Sequence, residues 1–305
     1  MKVLSLLLVI VLTAVANFSQ EPSQKSAPSQ KRSLNPEVDR ELNQTANLYR
    51  TGNFAEAQWH AERALSLEPT NPTAAIFLAR VRHQRYKPGD DQPQNLEIAR
   101  AAIDAYQTVL TLDSQNDEAY KAIGVLYAST HQERLLKAWV LRRAMNPLIS
   151  NQKRAEAYTV LAGKNWDTSY RFTELPNHKL TDSTKPDSVT YKMGDDSGEF
   201  QRIKQCVTNG LEMADAALLL DYDGESAESA WSYKTNLFLE AAKLAEMEGL
   251  DLAKASYVKQ ANEAKTQIFK ISEQRRRAGR AQESGIEIGP RPLPPPPIPR
   301  KPFDN

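Results

Sequence analysis

From residue 35 onward, apolar side chains recur at spacings of three and four, broken at short intervals by Gly, Pro and Asn, which is the pattern of successive amphipathic helices. Asn35-Pro36 places a capping Asn before a Pro at the first helical position, where the missing amide is no loss. The spacing predicts a helix ending near Tyr49-Arg50, a turn at Thr51-Gly52-Asn53, and a second helix from Phe54 to Leu67 that stops at Pro69. Asn71-Pro72 then repeats the opening signal 36 residues after the first. Within the second helix Ala57, Ala61, Ala64, Leu65 and Leu67 form a stripe whose small members let two helices approach at the close end of the usual range.

Later stretches repeat the plan with departures. Ala75, Leu78 and Ala79 supply the first helix of a second unit, and Ala102, Tyr106, Val109 and Leu110 its second. About 11 extra residues around Lys87 to Gln94 lengthen the turn, with Pro88, Gly89 and Pro93 marking loop. A third unit opens at Asp117, and its second helix is expected to end early, since Pro147 follows Ala144 closely. A fourth first helix starts near Lys153 with Ala157, Tyr158, Leu161 and Ala162. From Asn165 to Glu199 the period fails, and Thr168 to Glu174 and Val189 to Met193 alternate like two short strands. Helicity resumes at Phe200. It continues through Ala214, Ala217 and Leu218, then through Ala230, Leu237, Ala241 and Ala245, and after a turn at Gly249 through Ala253, Tyr257, Ala261 and Ala264 toward Arg275.

Gly52-Asn53-Phe54, Ala57, Ala64 and Pro69, together with Tyr120, Ile123, Gly124 and Tyr127 at aromatic, aliphatic, small and aromatic positions, resemble the tetratricopeptide repeat. That resemblance implies an all-α solenoid of stacked antiparallel helix pairs, with one irregular excursion over residues 165–199 that includes a possible β-hairpin. A lone hairpin cannot bury its stripe, so stacking supplies the stability, and the first helices line one face. On that phase the groove-facing residues are Asn43, Tyr49 and Arg50, then Arg80 and His83, then Lys121 and Ser129. Some members of the family clamp a terminal carboxylate with Lys and Asn pairs, but the corresponding first-repeat positions here are Leu42 and Ala46. Ala157-Tyr158-Thr159-Val160-Leu161, Cys206, Gly210-Leu211-Glu212 and Ser229-Ala230-Trp231-Ser232-Tyr233-Lys234 are further similar to a group of exported bacterial tetratricopeptide proteins with no assigned activity. The likeness spans roughly residues 35 to 270.

Composition narrows the function. With 39 Lys plus Arg against 38 Asp plus Glu, the net charge of +1 argues against a nucleic-acid partner. One Cys excludes a disulfide framework and a thiolate zinc cage. His60, His83, His131 and His178 never pair at helical spacing, and the chain carries no GxSxG, HExxH or phosphate-cradling Gly loop, so neither metal nor other cofactor is expected, nor an enzyme. Asp221, Asp223 and Gly224 hint at a calcium loop, but Ser232 stands where a bidentate Glu is needed, which makes the segment a turn. Cys206 is expected to be a buried small hydrophobe.

The two ends speak to compartment. Lys2, the 14-residue apolar stretch Val3 to Ala16 and the small residues Ala14 and Ala16 have the form of a secretory signal peptide over residues 1–16, too short for a bilayer core of roughly 30 Å. No lipid-attachment Cys follows, so a periplasmic or secreted location is expected. Residues 17–34 read as a flexible Ser/Gln/Pro-rich linker. The repeats occupy 35–164 and the C-terminal helices 200–275, while 276–305 forms a basic, Pro-rich, disordered tail. Its Arg291, Pro294 and Pro297 have the spacing that aromatic grooves read, although a stiff polyproline spacer is the expected use, with membrane contact confined to this tail. These features together predict a non-enzymatic module that binds a peptide or partner protein on the first-helix face. The alternative is a structural factor of the bacterial envelope that uses the tail as spacer.

Overall fold

A computed structural model describes residues 35–182, 185–194, 197–222, 224 and 226–284. The signal segment, the linker and the tail beyond Ser284 lie outside them. The described residues form ten α-helices and one two-stranded hairpin. They divide into two compact units, one up to Leu136 and the other from Lys137.

The first unit holds α1 (Pro36–Arg50), α2 (Phe54–Leu67), α3 (Pro72–Arg85), α4 (Pro93–Leu112), α5 (Asp117–Ser129) and the start of α6 (Glu133–Met145). Each of the first helices begins as its sequence directs. The Asn35 side chain accepts from the Glu37 amide at 3.0 Å, Asn71 from Ala74 at 2.9 Å, and Asn116 from Ala119 at 3.0 Å. Helices α1 and α2, and α3 and α4, pack as consecutive pairs, and α2 packs on α3. Ala57, Ala61 and Ala64 have no exposed surface, and Ala64 joins Val38 and Ala74 in a core shared by α1, α2 and α3. The inserted loop is shorter than expected, because Pro93 opens α4 instead of belonging to the turn. Asn95 closes that loop, bonding the amide of Lys87 and the carbonyls of Lys87 and Asp90.

Three of the turns between consecutive helices share one backbone solution. Gly52 (φ 78°), His131 (φ 57°) and Gly249 (φ 72°) are left-handed. Just after each, an amide reaches back to a carbonyl five residues earlier: Asn53 to Leu48 at 2.9 Å, Gln132 to Tyr127 at 2.8 Å, and Leu250 to Ala245 at 2.8 Å. A left-handed residue followed by this 6→1 bond ends a helix and sends the chain back along it.

The second unit holds the rest of α6, then α7 (Asn151–Thr173), β1 (Lys179–Asp182), β2 (Lys185–Tyr191), α8 (Ser197–Leu220), α9 (Ala227–Met247) and α10 (Asp251–Ser284). Helices α7 to α10 share three apolar clusters: Phe172 with Phe200, Ile203, Val207 and Leu244; Ala162 with Ala214 and Leu237; and Ala155 with Ala217, Leu218, Ala230 and Ile271. As expected from Pro147, α6 ends at Met145.

Three expectations need correction. The segment Asn165 to Thr173 is not irregular and Thr168 to Glu174 is not a strand. α7 continues through it, because Phe172, Ser169 and Asn165 bury on one helical face and tertiary packing outweighs the local alternation. The excursion is confined to the stretch after Thr173, where Lys179 pairs with Tyr191 and Thr181 with Val189 in an antiparallel hairpin. The last helix does not stop at Arg275. It runs to Ser284, with Glu273 holding Arg276 and, at 3.0 Å, Arg277. Cys206 is half-exposed, not buried, since it lies off the stripe made by Ile203, Val207 and Gly210.

Candidate functional site

In the first unit α1 touches α3, and the carboxylate of Glu118 on α5 receives both Nε and Nη2 of Arg80 on α3, at 2.6 and 2.5 Å. This fork ties the third hairpin to the second across 38 residues of sequence. Arg80 also lies 5.9 Å from the centre of the Phe77 ring. Beside it, the His83 ring meets Tyr106 edge-on at 5.7 Å, with Nδ1 3.3 Å from the phenol oxygen. Tyr49, at the end of α1, packs edge-on against Phe54 and lies close enough to Arg80 to feel its charge.

The electrostatics follow from half-burial around one ion pair. Hydrogen bonding by Glu118 holds the Arg80 guanidinium above its ordinary value despite the opposing effect of burial. Burial raises the Tyr106 phenol, and Glu118 adds to it, so Tyr106 remains a neutral donor and acceptor. Burial lowers His83, with Glu118 only partly opposing, so its imidazole is uncharged at neutral pH. The result is a neutral aromatic and hydrogen-bonding patch of Tyr49 and His83 beside a fixed ion pair, with Tyr106 buried under His83. Among the described residues no three His, Cys, Asp or Glu side chains gather as a metal site.

Of the seven residues singled out from the sequence, the fold brings Tyr49, Arg80 and His83 together and leaves the other four apart. Arg50 bonds within its own helix, to the carbonyl of Ala46 and to the side chain of Asn47. Lys121 pairs with Asp117 at 2.8 Å one turn earlier. The Ser129 hydroxyl donates to the carbonyl of Leu126, while its own carbonyl accepts from Tyr86 at 3.1 Å. Asn43 is exposed. Sequence reasoning missed Glu118 and Tyr106. The first sits in an acidic first turn and resembles a capping acid; the second sits on a second helix in step with the core stripe.

A second polar cluster, which no local sequence pattern announces, lies in the second unit. Glu240 on α9, 2% exposed, accepts from the Thr173 hydroxyl at 2.6 Å and from Lys243 at 2.7 Å. Lys243 also reaches Glu174 at 3.0 Å and lies 5.1 Å above both the Tyr170 and Tyr191 rings. Glu174 in turn holds Lys179 of β1 and the Tyr191 hydroxyl of β2 at 3.2 Å, so this network docks the hairpin on the helices. Burial opposes both charges here. Bonds from Lys179 and Lys243 nevertheless hold the Glu174 carboxyl below its usual range, and Glu240 and Glu174 hold Lys243 above its own.

No protein-family model matches the chain, and no curated protein does. Among solved structures, the chain is similar to one described as the crystal structure of MamA protein, at 12% identity and TM-score 0.33, covering 77% of this chain and 94% of that one. It is likewise similar to PilW, described as a widely conserved type IV pilus biogenesis factor, at 14% identity and TM-score 0.29, covering 78% of this chain and 99% of that one. The fold assignment rests on the chain's own hairpins. With consecutive antiparallel pairs, a left-handed turn at Gly52 and a buried seam at Ala57, Ala61 and Ala64, the chain has the architecture of tetratricopeptide repeats.

Proposed function

We propose that this chain is a non-enzymatic recognition module that binds a peptide or partner protein on the first-helix face of its first unit, around Tyr49, Arg80 and His83. The observation that carries the reading is the Arg80–Glu118 fork, which fixes two neighbouring hairpins and leaves partly exposed Tyr49 and His83 beside it, His83 resting on the buried Tyr106. Such side chains give area and hydrogen bonds at low entropic cost, as binding surfaces require. Asn43, Arg50, Lys121 and Ser129 belong at most to the rim of this surface. The test is selection from a displayed peptide library, followed by titration of the selected peptide. Tyr49→Ala and His83→Ala should each weaken binding, Tyr49→Ala by about tenfold or more, with unchanged far-ultraviolet circular dichroism. Arg100→Ala, on a second helix and paired only within it, should leave binding unchanged. Equal affinity for all three variants would overturn the assignment of this face.

The proposal includes an exported location, supported by the pattern of residues 2–16. Among the described residues no helix is long and apolar enough to cross a membrane. Amino-terminal sequencing of the mature chain tests this point, with a start at Asn17 expected.

A further inference from the structure

A groove of about 260 Å³ lies between α9 and α10 in the second unit, apart from the face discussed above. Trp231 and Phe238 form its walls, and Tyr257 stacks on Phe238 at 6.5 Å. The Lys234 ammonium sits 5.1 Å above the Trp231 ring and is neutralised by Asp215, so the lining carries no free positive charge there. Across the groove α10 presents Gln260, Glu263 and Gln267. The Gln260 amide donates to the carbonyl and hydroxyl of Ser256 at 3.4 Å, whereas the Gln267 side chain makes no hydrogen bond among the described residues, and the indole N–H of Trp231 is buried with no acceptor among them. Glu263 meets Lys259 only at 3.9 Å.

Such a groove has aromatic faces, a side-chain amide at Gln267 without a protein acceptor, and an acidic rim at Glu263. A proline-rich strand has the complementary chemistry: pyrrolidine rings that pack on aromatic faces, carbonyls that must find external donors, and no amide N–H to satisfy. This chain carries such a segment, Arg291-Pro292-Leu293-Pro294-Pro295-Pro296-Pro297-Ile298-Pro299, followed by Arg300 and Lys301. Its reach fits the groove. Helix α10 ends at Ser284, so Gln267 and Gln260 lie about 25 and 36 Å back along its axis at 1.5 Å per residue. A returning polyproline strand at about 3.1 Å per residue covers those distances in about 8 and 12 residues, which brings residues 292–296 beside Gln267 to Gln260.

We propose that residues 292–297 dock into the α9–α10 groove of their own chain, with proline rings on Trp231 and Phe238 and a carbonyl facing Gln267. The docked tail covers an aromatic surface that a proline-rich partner would otherwise occupy.

The experiment follows the Trp231 indole N–H resonance, assigned by its loss in Trp231→Phe, in the full chain and in a full-length variant carrying Pro294→Ala, Pro295→Ala, Pro296→Ala and Pro297→Ala. All four substitutions lie beyond the described helices, so the core is untouched. The resonance is expected to move in the variant and to return when a synthetic peptide of residues 288–302 is added. The unmodified chain should need at least about tenfold more peptide for any response, because its own tail competes at high effective concentration. An identical resonance in the two chains, or no response of the variant to peptide, would overturn the proposal. A resonance in the unmodified chain that shifts on dilution would overturn it as well, by assigning the groove to the tail of a second copy.

Discussion

Ala64 has no exposed surface where α1, α2 and α3 meet, so any added carbon must displace a neighbour. Ala64→Leu is therefore expected to destabilise the first unit by about 1–3 kcal/mol, read as a lower denaturant midpoint at unchanged slope. His83 makes a second prediction. Burial lowers its pKa below the ordinary value of about 6.5, so as pH falls the unfolded chain takes up the proton first. The stability His83 contributes is thus present above that value and lost below it. Denaturant melts of the chain should show a weakening on acidification below about pH 6.5 that His83→Gln flattens. Alanines at these spacings were legible because a close-packed seam admits little else. Glu118 and Tyr106 were not, since their significance lies in partners far along the chain, and a local pattern contains no information on which carboxylate an arginine will meet.

At the scale of elements, the left-handed turn recurs with Gly at two sites and His131 at the third. A side chain there crowds the following carbonyl, costing roughly 1–2 kcal/mol, part of which glycine returns as lost chain freedom. His131→Gly should accordingly raise stability by about 0.5–1 kcal/mol, measurable by thermal or denaturant melts, whereas Gly52→Ala should lower it. The hairpin β1–β2 depends on polar docking more than on its own pairing, through Lys179, Tyr191 and Glu174. Glu174→Gln should speed amide exchange over residues 179–191 while leaving α8 and α9 protected. Helix starts at Asn35 and Asn71 were readable because a cap is chemistry between adjacent residues. The continuation of α7 to Thr173 was not, because the burial of Phe172 and Ser169 is set by α8 and α9, which arrive later in the chain.

For the molecule as a whole, the division near Leu136 means that two cores are stabilised by separate sets of side chains. Removing the Glu240 carboxylate leaves the Thr173 hydroxyl without its acceptor and Lys243 with Glu174 as its remaining counter-ion, and Glu240→Leu is expected to cost about 3 kcal/mol. Combined with Ala64→Leu, its effect should add within a few tenths of a kcal/mol, because the two sites share no partner. A strong departure from additivity would mean that the units melt as one.

The buried carboxylate of Glu240 has a further consequence. Its neighbours one turn away on α9 are Leu237 and Leu244, 0% and 3% exposed, each seated among hydrocarbon from α7 and α8. Sliding α9 by a single turn would keep an apolar stripe in rough contact with apolar surroundings, as alanine-rich helices readily permit. It would also drive the Glu240 anion into one of those seats, away from the Thr173 hydroxyl, and draw Lys243 off Glu174. Shape alone leaves such slippage nearly free, so in this array a single embedded charge acts as the key that admits one alignment and locks out the next.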